Sequence, residues 1–134
     1  MKRLVLLLLV SFFLVSIFSC GAIFKKKGPE LAGTWKGTAA ISIESDMDII
    51  TMIITKDGDK YSGKITDSIG YLNNTPLKDI VFTDNTLTFS FDVVAAGSLV
   101  ETILTYENGT LKGEFETTDG QVTGIFELKK EKEK

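Results

Sequence analysis

The chain has 134 residues, with 15 basic and 18 acidic side chains, no histidine and one cysteine. This length supports one domain of about 100 residues besides a leader. The residue inventory argues against catalysis by histidine or a free thiol, and we therefore predict that the protein is not an enzyme. The net charge of −3 gives no basic surface of the kind that nucleic-acid binding requires.

The first twenty residues have the pattern of a bacterial lipoprotein signal peptide. Lys2 and Arg3 are followed by an apolar run over residues 4–18, which is shorter than the roughly 20 residues of a membrane span. An aliphatic residue and a small residue precede Cys20, which is the general form of a lipobox. We predict that residues 1–19 are removed and that Cys20 carries acyl chains such as palmitate. The alternatives are an uncleaved anchor and a secretory signal with an incidental cysteine.

The predicted lipidation places the protein in the cell envelope, on the outer membrane or the outer face of the cytoplasmic membrane. Residues 20–30 form a lipidated start and a tether, and residues 131–134 form a charged tail. Without Lys2 and Arg3, 13 basic residues remain, all of them lysine, against 18 acidic residues. The predicted partner of this part of the chain is membrane lipid.

Residues 31–130 form the predicted domain, where apolar and polar residues alternate with a period of two. Asn108-Gly109 and Asp119-Gly120 supply turns of tight hairpins. The pattern predicts eight strands, at about residues 32–44, 47–56, 60–67, 77–83, 86–94, 98–107, 110–118 and 121–129.

Short connections between these strands favour an all-β, eight-stranded antiparallel up-and-down barrel, with a two-sheet β-sandwich as the alternative. Four segments place a large residue and a glycine on the same inward face, where glycine lets a strand bend sharply. These segments are Trp35-x-Gly37, Tyr61-x-Gly63, Leu111-x-Gly113 and Val122-x-Gly124.

The second strand is apolar on both faces over residues 49–54. This pattern indicates an outer patch that is covered by residues 71–76 or by a partner protein, or else a core strand that is simply rich in isoleucine and methionine.

Gly33-Thr34-Trp35 at the start of the first strand, followed by a single meander, resembles the calycin group, which includes lipocalins, fatty-acid-binding proteins and avidins. The resemblance is closer to small lipocalin-like barrel domains of bacterial lipoproteins, and it implies binding of a small apolar molecule at the barrel mouth. Lipocalins commonly pack an arginine over this tryptophan, and Lys129 or Lys130 could only partly replace it. The arginine clamp of fatty-acid-binding proteins cannot be built here, and a lone tryptophan argues against biotin.

The leading functional hypothesis is a carrier or sensor with a small apolar ligand inside the barrel. Its predicted lining is Trp35, Tyr61, Phe89, Phe91, Phe115 and Phe126. The alternative is an envelope module with a filled core that contacts another protein through its outer face. A weaker third hypothesis is a hydrolase that uses Asp67 and Glu101 on inward registers. Asp57-x-Asp59 fits a turn better than a calcium loop, and we predict no metal or cofactor.

Overall fold

Nine antiparallel β-strands account for most of the chain in a computed structural model that describes residues 28–42 and 46–134. The strands are β1 (Gly33–Ile41), β2 (Met47–Asp57), β3 (Lys60–Asp67), β4 (Thr75–Pro76), β5 (Lys78–Thr83), β6 (Thr86–Val93), β7 (Ser98–Glu107), β8 (Thr110–Thr117) and β9 (Thr123–Lys130). A single 3-10 turn, Val94–Ala96, connects β6 to β7. The described residues include no helix with the length and apolarity to cross a membrane. The predicted signal peptide and Cys20 lie outside the described residues.

All nine strands belong to one sheet, in the order β4-β3-β2-β1-β9-β8-β7-β6-β5. The first and last strands are neighbours, with Trp35 opposite Lys130 and Ile41 opposite Gly124. The edge strands β4 and β5 are separated in the chain by Leu77 alone, whose backbone N–H donates to the Gly63 carbonyl at 2.9 Å. The chain therefore crosses from one edge of the sheet to the other at Leu77, and the sheet curls into a nearly closed barrel.

The predicted antiparallel barrel is confirmed, whereas the predicted number of eight strands is one too low. The expected strand at 77–83 is preceded by the two-residue strand β4, and its own pairing with β6 shifts by one residue between Lys78 and Val81. Asp79 lies in this bulge with a φ of 53°, and Pro76 has no N–H to donate. A single sheet is observed in place of the alternative two-sheet sandwich.

One end of the barrel, the closed end, is filled by apolar side chains. The Nε1–H of Trp35 donates to the Leu31 carbonyl at 2.9 Å, and the indole packs edge-to-face against Tyr106 with ring centroids 6.3 Å apart. Further fully buried side chains of the core are Leu87, Leu104, Leu111 and Leu128. The N-terminal segment therefore plugs this end of the barrel.

The inward glycines of β1 and β8 allow the neighbouring strands to approach closely. A Cβ atom at Gly37 would lie 2.9 Å from the Cα of Leu128, and one at Gly113 would lie 2.8 Å from the Cα of Leu104. Carbon atoms in ordinary contact are about 3.5–4.0 Å apart. Any larger residue at these two positions would push β1 away from β9, or β8 away from β7.

Candidate functional site

The opposite end of the barrel, the open end, holds a cavity of about 240 Å³. It lies where β1, β3, β6 and β8 end and where β2, β7 and β9 begin. Its lining is mostly apolar, with Ala39, Ile41, Ile50, Ile69, Leu72, Phe91, Val93, Ala96, Val100, Phe115, Val122 and Phe126, and the other lining residues are Asp48, Asp67, Tyr71, Ser98 and Thr117.

Two aromatic rings from neighbouring strands form one wall of this cavity. The Phe115 and Phe126 ring centroids are 4.5 Å apart, with an interplanar angle of 34°. Phe115 lies opposite Gly124 in the β8–β9 ladder, and its ring occupies the space that a side chain at Gly124 would take. The glycine thus creates the room for the ring, and aromatic cover of a strand glycine helps to hold the register.

The six aromatic residues predicted to bind a ligand divide into two groups of three. Phe91, Phe115 and Phe126 line the cavity. The other three do not line it and are Trp35 at the closed end, Tyr61 and Phe89. The Lys56 Nζ lies 5.5 Å from the centre of the Tyr61 ring. The structure therefore brings half of the predicted set together and assigns the other half to packing.

The loop between β3 and β4 covers one side of the cavity. The Asp67 carboxylate accepts backbone N–H bonds from Gly70 (2.8 Å), Tyr71 (3.1 Å) and Leu72 (3.1 Å). The Asp67 N–H in turn donates to the Leu72 carbonyl at 3.1 Å. This bonding directs the buried Leu72 side chain into the cavity lining. Asp67 is on an inward register, as predicted, and its oxygens organise the loop.

Asp48 is a buried polar residue of the cavity that the sequence analysis missed. It is 4% exposed, and its Oδ1 accepts from the Ser68 N–H (3.0 Å) and the Ser68 hydroxyl (2.6 Å). The Ser68 Oγ also accepts from the Ile49 N–H at 3.0 Å. Asp48, Ile50 and Met52 are alternate residues of β2 and therefore face the same side of the sheet. This alternation was the sequence pattern from which an inward carboxylate could have been predicted.

Glu101 does not lie inside the barrel, so the predicted pairing with Asp67 is wrong. Glu101 is exposed and alternates with the buried Val100 and Thr102 along β7. Hydrolysis of a glycosidic bond requires one carboxyl group on each side of that bond. Asp67 points into the barrel and Glu101 points out of it, so these two carboxylates cannot flank the same bond.

The outer face carries a shallow groove of about 620 Å³ across β1, β9, β8 and β7. Its lining includes Ala40, Ile103 and Ile125 together with the carboxylates of Glu101, Glu114 and Glu116. The neighbouring Ile49 is 60% exposed, so residues 71–76 do not cover it as the sequence had suggested. On the same outer face, Met47, Ala40 and Ile125 lie side by side, and Glu114 separates them from Ile103.

The rim of the open end is ordered by the turn between β8 and β9. The Thr117 hydroxyl donates to Asp119 Oδ1 at 2.6 Å and accepts from the Val122 N–H at 3.0 Å. The Thr117 hydroxyl, and then the Gln121 N–H, lower the pKa of Asp119 from its ordinary value. Folding stability from this carboxylate is therefore present at neutral pH and is lost as the pH falls through the lowered pKa.

In residues 28–42 and 46–134, no three His, Cys, Asp or Glu residues are grouped so as to hold a metal ion.

No protein-family model matches this chain, and no curated protein matches it. Among solved structures, the chain is similar to a redesigned β-barrel, mFAP1, bound to DFHBI. The TM-score is 0.54 at 20% identity, and the match covers 75% of this chain and 94% of that chain. At this identity the likeness shows the fold alone. The fold and the cavity together define a small, nearly closed antiparallel β-barrel with a cavity at one end.

Proposed function

We propose that this protein is a lipid-anchored envelope lipoprotein whose barrel binds a small apolar ligand in the open-end cavity. The observation that carries the proposal is the contrast between the two ends of the barrel. Trp35 and the leucines around it fill the closed end, whereas Phe91, Phe115 and Phe126 surround about 240 Å³ of space at the open end. Mostly apolar clefts with a few polar groups are typical of small-molecule sites.

The size of the cavity narrows the range of ligands. An apolar cavity of about 150 Å³ is large enough to bind benzene. A cavity of about 240 Å³ therefore suits a molecule with one or two rings, or a short branched chain. A long acyl chain would need the space that Trp35 occupies. The similar redesigned barrel was solved bound to DFHBI, which is compatible with small-ligand binding by a barrel of this fold.

Two adjacent alanines on β1 provide a direct test of the cavity. Ala39 faces inward and lines the cavity, whereas Ala40 lines the outer groove. We expect native mass spectrometry of the protein, purified without denaturation, to detect a co-purifying small molecule or a bound apolar probe. Ala39→Leu should abolish this binding by filling the cavity, and Ala40→Leu should leave it unchanged. Binding that survives Ala39→Leu would place the ligand elsewhere, and no binding in any form would contradict the proposal.

The lipid anchor is tested separately at Cys20. Replacement of Cys20 by serine removes the sulfur that would carry the diacylglycerol. We expect the wild-type protein to incorporate labelled palmitate and to remain with the membrane fraction, and C20S to lose both properties. Equal membrane association of the two proteins would support an uncleaved N-terminal anchor instead.

A second candidate function is an envelope module that binds another protein through its outer face. The observation that favours it is the outer row in which Ala40 lies between the exposed Met47 and Ile125. Glu114 separates this row from Ile103, which is itself 60% exposed. A photo-crosslinking residue at position 103 should then give a defined product in intact cells. The same residue at position 64, on the outer face of β3, serves as the control. Equal labelling at both positions would argue against a specific partner.

A further inference from the structure

The open-end cavity has an unbalanced charge. Among the described residues, its lining includes two carboxylates, Asp48 and Asp67, and no lysine. Arg3 is the one arginine of the sequence, and the sequence has no histidine, so neither residue type can neutralise these carboxylates within the domain. An apolar cavity with negative groups and no positive group disfavours an anionic ligand such as a fatty acid, because like charges repel more strongly beside apolar protein than in bulk water.

The two carboxylates differ in how fully their charge is compensated. Asp67 accepts three backbone N–H bonds, shared over both of its oxygens, within the β3–β4 loop. Asp48 accepts only the two bonds from Ser68, and both reach Oδ1. Among the residues that the structure describes, Oδ2 of Asp48 has no hydrogen-bond donor, and no lysine forms a salt bridge with it.

Asp48 is also the more deeply buried of the two, with 4% of its surface exposed. Its Oδ2 atom is not among the fully buried unpartnered atoms of the described residues, so it is open to the cavity, where a donor can reach it. A carboxylate oxygen without a donor in a largely apolar site is less stable than a paired one. The Asp48 side chain lies in the lining of a cavity whose other walls are largely aromatic and aliphatic. Within the described part of the chain, Oδ2 of Asp48 is thus the carboxylate oxygen of this lining that accepts no hydrogen bond, and a bound molecule could supply the donor.

We infer that the ligand of this cavity is a small apolar amine, bound in its protonated form. The ammonium group donates to Oδ2 of Asp48, and the apolar body packs against Phe91, Phe115 and Phe126. Aromatic rings near a cation add a favourable electrostatic contribution. This inference rests on the proposed carrier function and names the chemical class of its ligand.

Three probes of similar size and different charge test the inference. They are 2-phenylethylamine, 2-phenylethanol and 3-phenylpropionate, titrated calorimetrically at pH 7 into the full protein in lipid nanodiscs, with empty nanodiscs as the blank. We expect the amine to bind about tenfold more tightly than the alcohol, since hydrogen bonds to charged groups are the stronger kind. The carboxylate should bind most weakly. Equal affinities for amine and alcohol, or a preference for the carboxylate, would overturn the inference.

Asp48→Asn then assigns the preference to one side chain. Asparagine keeps an oxygen that accepts from Ser68, so the local hydrogen bonds can persist. The variant should bind the amine no better than the alcohol, with its affinity for the alcohol unchanged. Glu101→Gln removes a charge from the outer face and is the matched control, for which we expect no change.

The outcomes separate the two proposals. If D48N retains the amine preference, the inference about Asp48 is wrong and the carrier function stands. If the alcohol binds without any charge preference, the carrier function again stands alone. If none of the three probes binds to the unmodified protein, both proposals fail. If circular dichroism shows that D48N does not fold, the ratio of amine to alcohol affinity in the unmodified protein decides.

Discussion

The Lys130 Nζ lies 6.0 Å from the centre of the Trp35 ring and donates a hydrogen bond to the Glu30 carbonyl at 2.7 Å. The last residue of β9 thus covers the tryptophan of β1 and holds the segment that precedes this strand. Of the two lysines that the sequence offered for this place, Lys130 occupies it, while Lys129 is exposed.

This contact predicts a cost for removing the charge of Lys130. Lys130→Met keeps most of the aliphatic stem but loses the cation over Trp35 and the bond to Glu30. We expect the free energy of unfolding to fall by about 1 kcal/mol, measured by urea denaturation. Lys129→Met is the matched control and should change it by less than about 0.5 kcal/mol. Equal effects at both positions would show that the contact with Trp35 contributes nothing.

The close approach of strands predicts that Gly37 does not tolerate a methyl group. Gly37→Ala would bring its Cβ to 2.9 Å from Leu128 Cα. Overpacking of this kind usually costs about 1–3 kcal/mol, and here the neighbour is backbone, which moves less readily than a side chain. Thermal unfolding followed by circular dichroism should show a clear fall in Tm. Gly28→Ala, with no atom within 4 Å of the added carbon, should leave Tm unchanged.

Two phenylalanines on one strand separate ligand binding from packing. Phe91 lines the cavity, whereas Phe89 is buried outside it, with their ring centroids 6.2 Å apart. Phe→Leu at either position should lower the free energy of unfolding by about 1–2 kcal/mol, because both lose buried surface. Only Phe91→Leu should weaken binding of 2-phenylethanol, measured by calorimetry. A larger loss of affinity from Phe89→Leu would place the ligand deeper in the barrel.

Two buried threonines on neighbouring strands should respond in opposite directions to loss of the hydroxyl. Thr102 Oγ1 has no hydrogen-bond partner among the described residues, whereas the Thr117 hydroxyl bonds to Asp119 and Val122. Thr102→Val should raise the free energy of unfolding by about 1 kcal/mol, since it removes an unsatisfied polar atom. Thr117→Val should lower it by about 1 kcal/mol. Urea denaturation of both variants checks the pair, and destabilisation by Thr102→Val would indicate a hidden partner for that hydroxyl.

The strands and their inward faces could be predicted from the sequence because both depend on local patterns. The alternation of Leu87, Phe89 and Phe91 fixes which face of β6 is buried. The inward glycines of β1 and β8 likewise follow from parity. The two-residue strand β4 could not be found in this way, because its pairing with β3 depends on where the chain crosses between the barrel edges.

The position of the cavity was harder to predict. The alternation of residues along a strand shows which side chains face inward, but it does not show how far along the barrel axis each one lies. Phe89 and Phe91 share one face, yet only Phe91 reaches the cavity. Position along the axis depends on the stagger of all the strands, which is a property of the closed sheet.

Asp48 was missed for a different reason. The apolar residues from Ile49 onward masked the fact that the inward series of β2 begins with a carboxylate.

The pairing of β1 with β9 also constrains the order of folding. As the chain is synthesised from its N-terminus, β2 can pair with β1 early, but the other edge of β1 has no partner until residues 123–130 have emerged. Pairing between such distant segments is slow, because the intervening chain must first be ordered. Until then, this edge of β1 is open to pairing with other chains, so aggregation through it ends only when the last eight residues of the barrel have paired.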